Sequence, residues 1–387
     1  MKQTLRIWIA ISLAAPALAT EPTDLEFERF MAEQQQAFSE YQQQETAAFE
    51  QFVQAWQQAE SDYAKQVAQQ WPDALLPNKT RWVSYSDDLH RRLQVNYETG
   101  EVVVEVIDAN NANAEVAQAR SDIAKLAKTS AEDALQHDPV VVAFDRQFNS
   151  SSRQQSGYVA NPNVANMSRE TILTAAMASE TLQASPKVSK QGNRTIIKFT
   201  MPSKALNQRA AQYVPMVLQQ AERWQLAPDL IMAVIQTESS FNPMARSPAP
   251  AFGLMQIVPS SAGKDVTAFL EGQPRVLSPQ YLYEADNNIE AGSVYLHLLG
   301  DRYFSEVRDP QSKSYLMIAA YNTGPGNVAK ALSYTTSLNL ASAAANNMSA
   351  DEVYQQLQAA LPAEETKNYL RKVNARRQIY QQQFKEM

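Results

Sequence analysis

The stretch Pro228-Asp-Leu-Ile-Met-Ala-Val-Ile-Gln-Thr-Glu-Ser-Ser-Phe241 reads as one apolar helix that ends on a carboxylate. Pro228 suits the first helical position, where its missing N–H has no intrahelical partner to lose. Ile231, Val234 and Ile235 precede Glu238 at helical spacings, so the carboxylate extends an oily stripe. Asn242-Pro243 stops the helix. Glu238 therefore falls in the last turn, where the negative end of the helix dipole and the apolar neighbours both disfavour its charge. Both effects push its pKa upward, as a general acid requires. For this stretch alone, a surface glutamate at a helix end is the plainer reading; the motifs further along decide between the two.

Outward from that helix, nearly everything after Ala205 carries helical periodicity. Candidate helices cover Ala205 to Trp224, Pro228 to Ser239, Asn288 to Tyr303, Ser312 to Tyr321, Ser349 to Ala360 and Glu365 to Phe384. Seven of the ten glycines fall between Gly253 and Gly326, which concentrates special backbone geometry there. Between about Arg81 and Ser203 the pattern is mixed. Arg92–Tyr97 and Glu101–Ile107 flank Glu98-Thr-Gly100 and read as a β-hairpin. Asn193–Thr200 reads as a third strand, with helices around Ala114 to Gln136 and Arg169 to Gln183 and a polar loop near Ser150 to Asn163.

Before that, Leu25 to Gln70 is rich in Gln, Glu and Ala and lacks Gly and Pro. Met31, Phe38, Tyr41, Phe49, Phe52, Trp56, Tyr63 and Val67 recur near helical spacings, as one long amphipathic helix or a helical hairpin. Its aromatic stripe suits packing on the chain's own next part better than a regular coiled-coil seam. The alternative is a helix that recruits a cell-wall protein partner. The expected class is thus α+β, mostly helical. Its expected parts are a signal peptide at 1–19, a Gln-rich helical region at 20–77, a small α+β accessory domain at 78–204 and a helical catalytic domain at 205–387.

The absence of cysteine removes disulfides, thiolate metal sites and thiol nucleophiles, and leaves no thiol for a lipid anchor. His90, His137 and His297 are far apart, so no metal or other cofactor is expected. Lys2 and Arg6, the apolar run Ile7 to Ala15 and Ala17-Leu-Ala19 read as a cleavable leader, too short to span a bilayer, which points to export into the periplasm. Loss of that leader removes two positive charges and takes the formal charge from −7 to −9. A chain so acidic, with no Lys/Arg cluster, is not expected to bind nucleic acid.

Two loops rich in amide and phenol groups complete the pattern. Gly253-Leu-Met-Gln256 opens with a glycine that permits close backbone approach and should begin a helical stretch; Gln256 can donate and accept hydrogen bonds to a sugar amide. Ala320-Tyr-Asn-Thr-Gly-Pro-Gly326 ends a helix in a turn that exposes Tyr321 and Asn322. A dry carboxyl facing such loops suggests acid-catalysed cleavage of a sugar polymer. No second carboxylate stands out: Asp265, Asp286 and Glu290 read as helix-start or solvated residues.

In order, Glu238-Ser239, Gly253-Leu-Met-Gln256, Asn288-Ile-Glu-Ala-Gly292 with Tyr295-Leu296, Ala320–Gly326 and Glu365-Thr-Lys-Asn-Tyr369 resemble the catalytic domain of lytic murein transglycosylases, whose fold is like goose-type lysozyme. The strand-bearing part resembles the accessory domain of the C type. The resemblance implies cleavage of the β-1,4 bond between N-acetylmuramic acid and N-acetylglucosamine in peptidoglycan, with a 1,6-anhydro product and the substrate's N-acetyl group in place of a second carboxylate. It implies that Glu238 is the acid and then the base, that Gln256 and Tyr321 line the glycan groove, and that Ser247 lies near the N-acetyl group. It also places Tyr369 near the carboxylate; Asn322 is a further candidate contact. A water-using muramidase and a scaffold that binds peptidoglycan without cutting it are the alternatives. The subfamily is typically lipid-anchored, for which this chain has no cysteine, and it carries glycine or a small polar residue where Pro250 stands here.

Overall fold

Glu101–Ile107 buries Val102, Val104 and Val106 on one face, as the two-residue period of a strand requires. In the computed structural model, which describes residues 29, 50–152, 158–159 and 170–386, this segment is the centre of a five-stranded sheet. A helix, α1, occupies 50–68. The sheet follows with β1 (Arg81–Tyr85), β2 (Arg91–Asn96) and β3 (Glu101–Ile107). Three helices come next: α2 (Ala112–Leu126), α3 (Ala131–Gln136) and α4 (Pro139–Ser152). After a short strand β4 (Tyr158–Val159) and α5 (Ala175–Gln183), β5 (Lys187–Gln191) and β6 (Arg194–Thr200) complete the sheet. Its order is β1-β2-β3-β6-β5, antiparallel throughout.

The two faces of the sheet do different things. On one, Val95, Val102, Val104, Ile197 and Phe199 are fully buried under α2 and α5. On the other, Arg92 sits directly across from Glu105 and donates from Nε to Glu105 Oε2 at 2.7 Å, with Gln94 Nε2 donating to the same oxygen at 2.6 Å. Arg92 also donates to the Asp73 carbonyl at 2.8 Å and stacks over Trp71, 4.4 Å from its ring centre. The chain leaving α1 is thereby fastened to the polar face. A buried charge of this kind persists only because each of its partners is supplied.

The remainder is helical: α6 (Ala205–Trp224), α7 (Pro228–Ser239), α8 (Ala262–Glu271), β7 (Val276–Leu277), α9 (Pro279–Tyr283) and α10 (Ala285–Leu298), which runs into a π-helical turn at Leu299–Tyr303. Then come α11 (Pro310–Thr323), α12 (Pro325–Ser333), α13 (Leu338–Ala345), α14 (Ala350–Ala360) and α15 (Glu364–Glu386). The apolar helix α7 lies between α6 and α15, and Ile231, Ala233, Val234 and Ile235 are all fully buried. Residues 49–387 form one compact unit, and a single apolar cluster runs from α1 through the sheet to α15.

The expected α+β class with a helical majority is what the structure has. The hairpin, the third strand, α6 and α7 stand where periodicity placed them. Several elements differ. The helix expected over Ala114 to Gln136 is two, because Ser130 caps α3 with its side chain and accepts from Asp133 N. The helix expected from Arg169 begins only at Ala175, with Thr174 as its cap. Strands β1 and β5 and helices α4, α8, α12 and α13 were not anticipated, being short or lacking a clean period. Of the Gln-rich stretch, residues 29 and 50–70 are described, and along 50–70 the stripe does face the chain itself. Phe52 and Trp56 are fully buried, with Trp56 4.7 Å from Phe252 and 5.4 Å from Phe144. The leader, Met31, Phe38, Tyr41 and Phe49 lie outside the described residues, as does most of the polar loop.

The segment Gly253–Gln256 is a turn closed by the bridge Phe252↔Ile257, where a helix was expected. Gly253 has φ +76 and Gln256 φ +50, which no α-helix accommodates. Asn288 enforces the turn from inside α10. Its Nδ2 donates to Phe252 O at 2.8 Å and Leu282 O at 2.7 Å, and its Oδ1 accepts from Met255 N at 2.7 Å. Asn288 is thus a clamp one turn into α10, not the helix start its sequence context suggested. Gly292 lets Met255 seat on α10, since an added Cβ would meet Met255 Sδ at 2.3 Å.

Two outcomes follow for stability. Trp56→Ala should lower unfolding free energy by about 3–5 kcal/mol in a denaturant titration, the usual cost of emptying an aromatic site; a loss below about 1 kcal/mol would mean α1 is not part of this core. Gly253→Ala places a Cβ 2.2 Å from Leu282 O and 2.3 Å from Asn288 Nδ2 at a left-handed position. It should cost more than the roughly 1 kcal/mol typical of a point mutation, and a melting temperature equal to the parent's would contradict the clamp.

Candidate active site

Glu238 occupies the last turn of α7 with 4% of its surface exposed. The helix ends because Ser240 and Phe241 both take left-handed backbone, φ +51 and +61. The backbone of the turn meets two of the final carbonyls, Ser240 N donating to Gln236 O at 3.1 Å and Asn242 N to Ser239 O at 3.0 Å, while Thr237 Oγ1 and Ser239 Oγ bond back to Ala233 O at 2.6 Å and Ile235 O at 3.0 Å within the helix. Beyond the turn, Arg209 of α6 donates from Nε to Phe241 O at 2.6 Å. Asn242 donates from Nδ2 to the carbonyls of both Asn78 and Lys79, each at 3.2 Å. The turn after the helix is thus tied to the segment just before β1.

That tie brings Lys79 to the carboxylate. Its Nζ donates to Glu238 Oε2 at 3.2 Å, the lysine side chain being 39% exposed and the glutamate's 5%. Tyr369 of α15 is buried, and its hydroxyl, outside strict hydrogen-bond geometry with any described group, still acts on the carboxylate. Burial pushes the Glu238 carboxyl above the usual range; Lys79 and Tyr369 pull the other way, and Glu365, one turn before Tyr369, adds to the rise. Tyr321 and Tyr369 are in turn pushed well above a normal phenol, by burial first and by the Glu238 charge second. Both phenols therefore stay protonated beside the carboxyl.

Among the expected residues, Glu238, Tyr321 and Tyr369 come together. Tyr321 spends its hydroxyl on Met255 O at 2.8 Å and tilts against Tyr295 at 5.5 Å, so it props the Gly253–Gln256 turn while facing Glu238. Gln256 is nearly buried; its Nε2 donates to Gly253 O at 3.0 Å, and its buried Oε1 has no hydrogen-bond partner among the described residues. An unpaired buried acceptor on a strained turn is one that a ligand could complete. Asn322 is half-buried beside Tyr321 in the last turn of α11. Ser247 donates its hydroxyl to the Ala249 carbonyl and makes no hydrogen bond to Glu238.

The other acidic candidates lie elsewhere in the hydrogen-bond network. Asp265 accepts from Tyr303 Oη at 3.1 Å, and Glu290 pairs with Arg223 at 2.6 Å on the surface. A cavity of about 880 Å³ lies among β1, α1, α2 and α3, but none of the expected site residues lines it. Nothing in the sequence marks Lys79 as a site residue. It stands in Asn78-Lys79-Thr80 with no period or motif around it, 159 residues from its partner. Asn242 was read only as a helix stop.

Residues 215–342 match the transglycosylase SLT domain, and residues 43–127 match the N-terminal domain of membrane-bound lytic murein transglycosylase C. A membrane-bound lytic murein transglycosylase C from Pectobacterium atrosepticum is 32% identical over 312 residues, 80% of this chain and 84% of that protein. Its counterpart from Haemophilus ducreyi is 33% identical over 320 residues, 80% of this chain and 81% of that protein. Among solved structures, an inactive mutant of the lytic transglycosylase Slt from Pseudomonas aeruginosa is 27% identical, with a TM-score of 0.33, over 44% of this chain and 24% of that one. With relatives 32% and 33% identical across 80% of its length and more than four-fifths of theirs, the chain belongs to the lytic murein transglycosylase C family.

Proposed function

We propose that this protein cleaves the β-1,4 bond between N-acetylmuramic acid and N-acetylglucosamine in peptidoglycan, as a lytic transglycosylase with Glu238 as its one acid and base. The observation that carries the reading is a carboxyl nearly closed to water, lifted in pKa by that burial, beside phenols that remain protonated. Membership of the family supports the substrate. Glu238 gives its proton to the glycosidic oxygen as the bond to C1 of the muramic acid residue breaks. The carbonyl oxygen of that residue's own N-acetyl group bonds to C1 in place of the departing sugar. The Glu238 carboxylate then removes the proton of the C6 hydroxyl; O6 attacks C1, displaces the N-acetyl oxygen and closes the 1,6-anhydro ring. Each proton lost by Glu238 is regained, and no water is consumed.

Around that carboxyl, the residues divide by what their polar atoms are free to do. Gln256 offers a buried acceptor with no partner among the described residues, suited to an amide N–H of the sugar. Tyr321 holds the turn that carries it, and Tyr369 stabilises the carboxylate formed after the first proton transfer. Ser247, nine residues after Glu238, and Asn322, within the Ala320–Gly326 motif, belong to the proposed glycan contacts by the family resemblance. Export to the periplasm belongs to the same reading, because the glycan lies outside the inner membrane. The division into an accessory part (78–204) and a catalytic part (205–387) is kept with it.

Digestion of purified sacculi followed by mass spectrometry should release anhydro-ended fragments, one water lighter than hydrolytic ones. Hydrated reducing ends would make the enzyme a muramidase, and glycan binding with no released fragments would make it a scaffold. Glu238→Gln should lower the rate by about 10²-fold or more, the contribution of one positioned general acid. The free enzyme must carry Glu238 protonated, so kcat/KM should hold on the acid side and fall as pH rises through the Glu238 pKa. Because burial raises that pKa, the fall should lie above the usual carboxylate range; an alkaline limb centred within that range would contradict the burial argument.

A further inference from the structure

The segment before β1 is built to hold one side chain in place. Asn78 Oδ1 accepts from Thr80 N at 3.0 Å and Arg81 N at 2.9 Å, and Asn78 N donates to Arg81 O at 2.9 Å, closing a tight turn around Lys79. Asn242, fully buried, grips that turn from outside through the carbonyls of Asn78 and Lys79. Lys79 is thus fixed at its backbone from two directions, with its ammonium on Glu238 at 3.2 Å. This is an unusual placement for a half-exposed lysine, which gains little from pairing at a surface. Its partner is a carboxylate that has lost nearly all its water.

Taking as its basis the reading of Glu238 as the catalytic carboxyl, we propose that Lys79 is a positioning residue of the active site. Its ammonium holds the Glu238 carboxyl in one orientation and sets how readily that group gives up its proton. The segment before β1 therefore completes a site otherwise made of helices. Among the described residues, four groups bear on Glu238: Tyr321 from α11, Tyr369 and Glu365 from α15, and Lys79 from the turn before β1; of these, Lys79 alone brings a positive charge. In the first step the proton leaves Glu238 for the glycosidic oxygen, and the ammonium stabilises the carboxylate that results. In the second step the carboxylate recovers a proton from the C6 hydroxyl. Lys79 keeps all its own protons throughout. Without it, the dry carboxyl would hold its proton more tightly, making a weaker acid and a later titration.

The test compares kcat/KM against pH on soluble, uncross-linked glycan strands for the parent protein, Lys79→Met, Lys79→Arg and Glu238→Gln. Lys79→Met keeps the length of the side chain and removes its charge. Its alkaline limb should move up by about one pH unit, the low end of what a nearby opposite charge supplies, with the rate on the acid plateau reduced. Lys79→Arg should return the limb close to its original position. Should Lys79→Met fail to fold, Lys79→Gln gives a second neutral variant, with the same upward shift expected. An unmoved limb in a folded neutral variant, or an equal shift in Lys79→Arg, would overturn the role of Lys79 while leaving Glu238→Gln inactive and the catalytic reading intact. Substantial activity in Glu238→Gln would overturn both.

Discussion

Removing a carboxyl from water costs several kcal/mol unless the group is paired or neutral, and this chain does it at Glu238. The apolar face of α7 supplies the burial, and α15 on its far side closes it. The site answers the cost twice over. The raised pKa lets the group be neutral, and Lys79 with the Tyr369 hydroxyl supports it when charged. A carboxyl held between these two states is one whose proton can leave and return within a reaction cycle.

Holding that balance depends on backbone in sparsely populated conformations. Ser240, Phe241 and Gln256 take left-handed φ without being glycine, and Gly253 does so as glycine. Each is over-determined by its surroundings. Arg209 and Asn242 hold the turn after α7, and Asn288 with Tyr321 holds the turn that carries Gln256. Both asparagines use their side chains to satisfy backbone groups that no regular element reaches.

The legible features were those whose cause is local. Val102, Val104 and Val106 alternate, so β3 was readable, and Pro228 with the Ile231, Val234 and Ile235 spacing marked α7. The carboxyl in an apolar stripe was visible for the same reason. Failures had the opposite character. Gly253–Gln256 was expected to enter a helix, but Asn288, 33 residues from Met255, pulls it into a turn. Ser130 split a helix that composition alone would have continued.

The linear order of residues determined an apolar helix ending on a glutamate, a β-hairpin with its turn, and the glycine-rich loops downstream, because hydrophobic period and turn chemistry act over a few residues. Only the folded chain decided which cation meets that glutamate, which amides clamp the loops and which phenols flank the carboxyl. Charge and hydrogen bonding act through space over a few ångströms, and Lys79 and Glu238, 159 positions apart, become neighbours only once the sheet and the helices between them have packed.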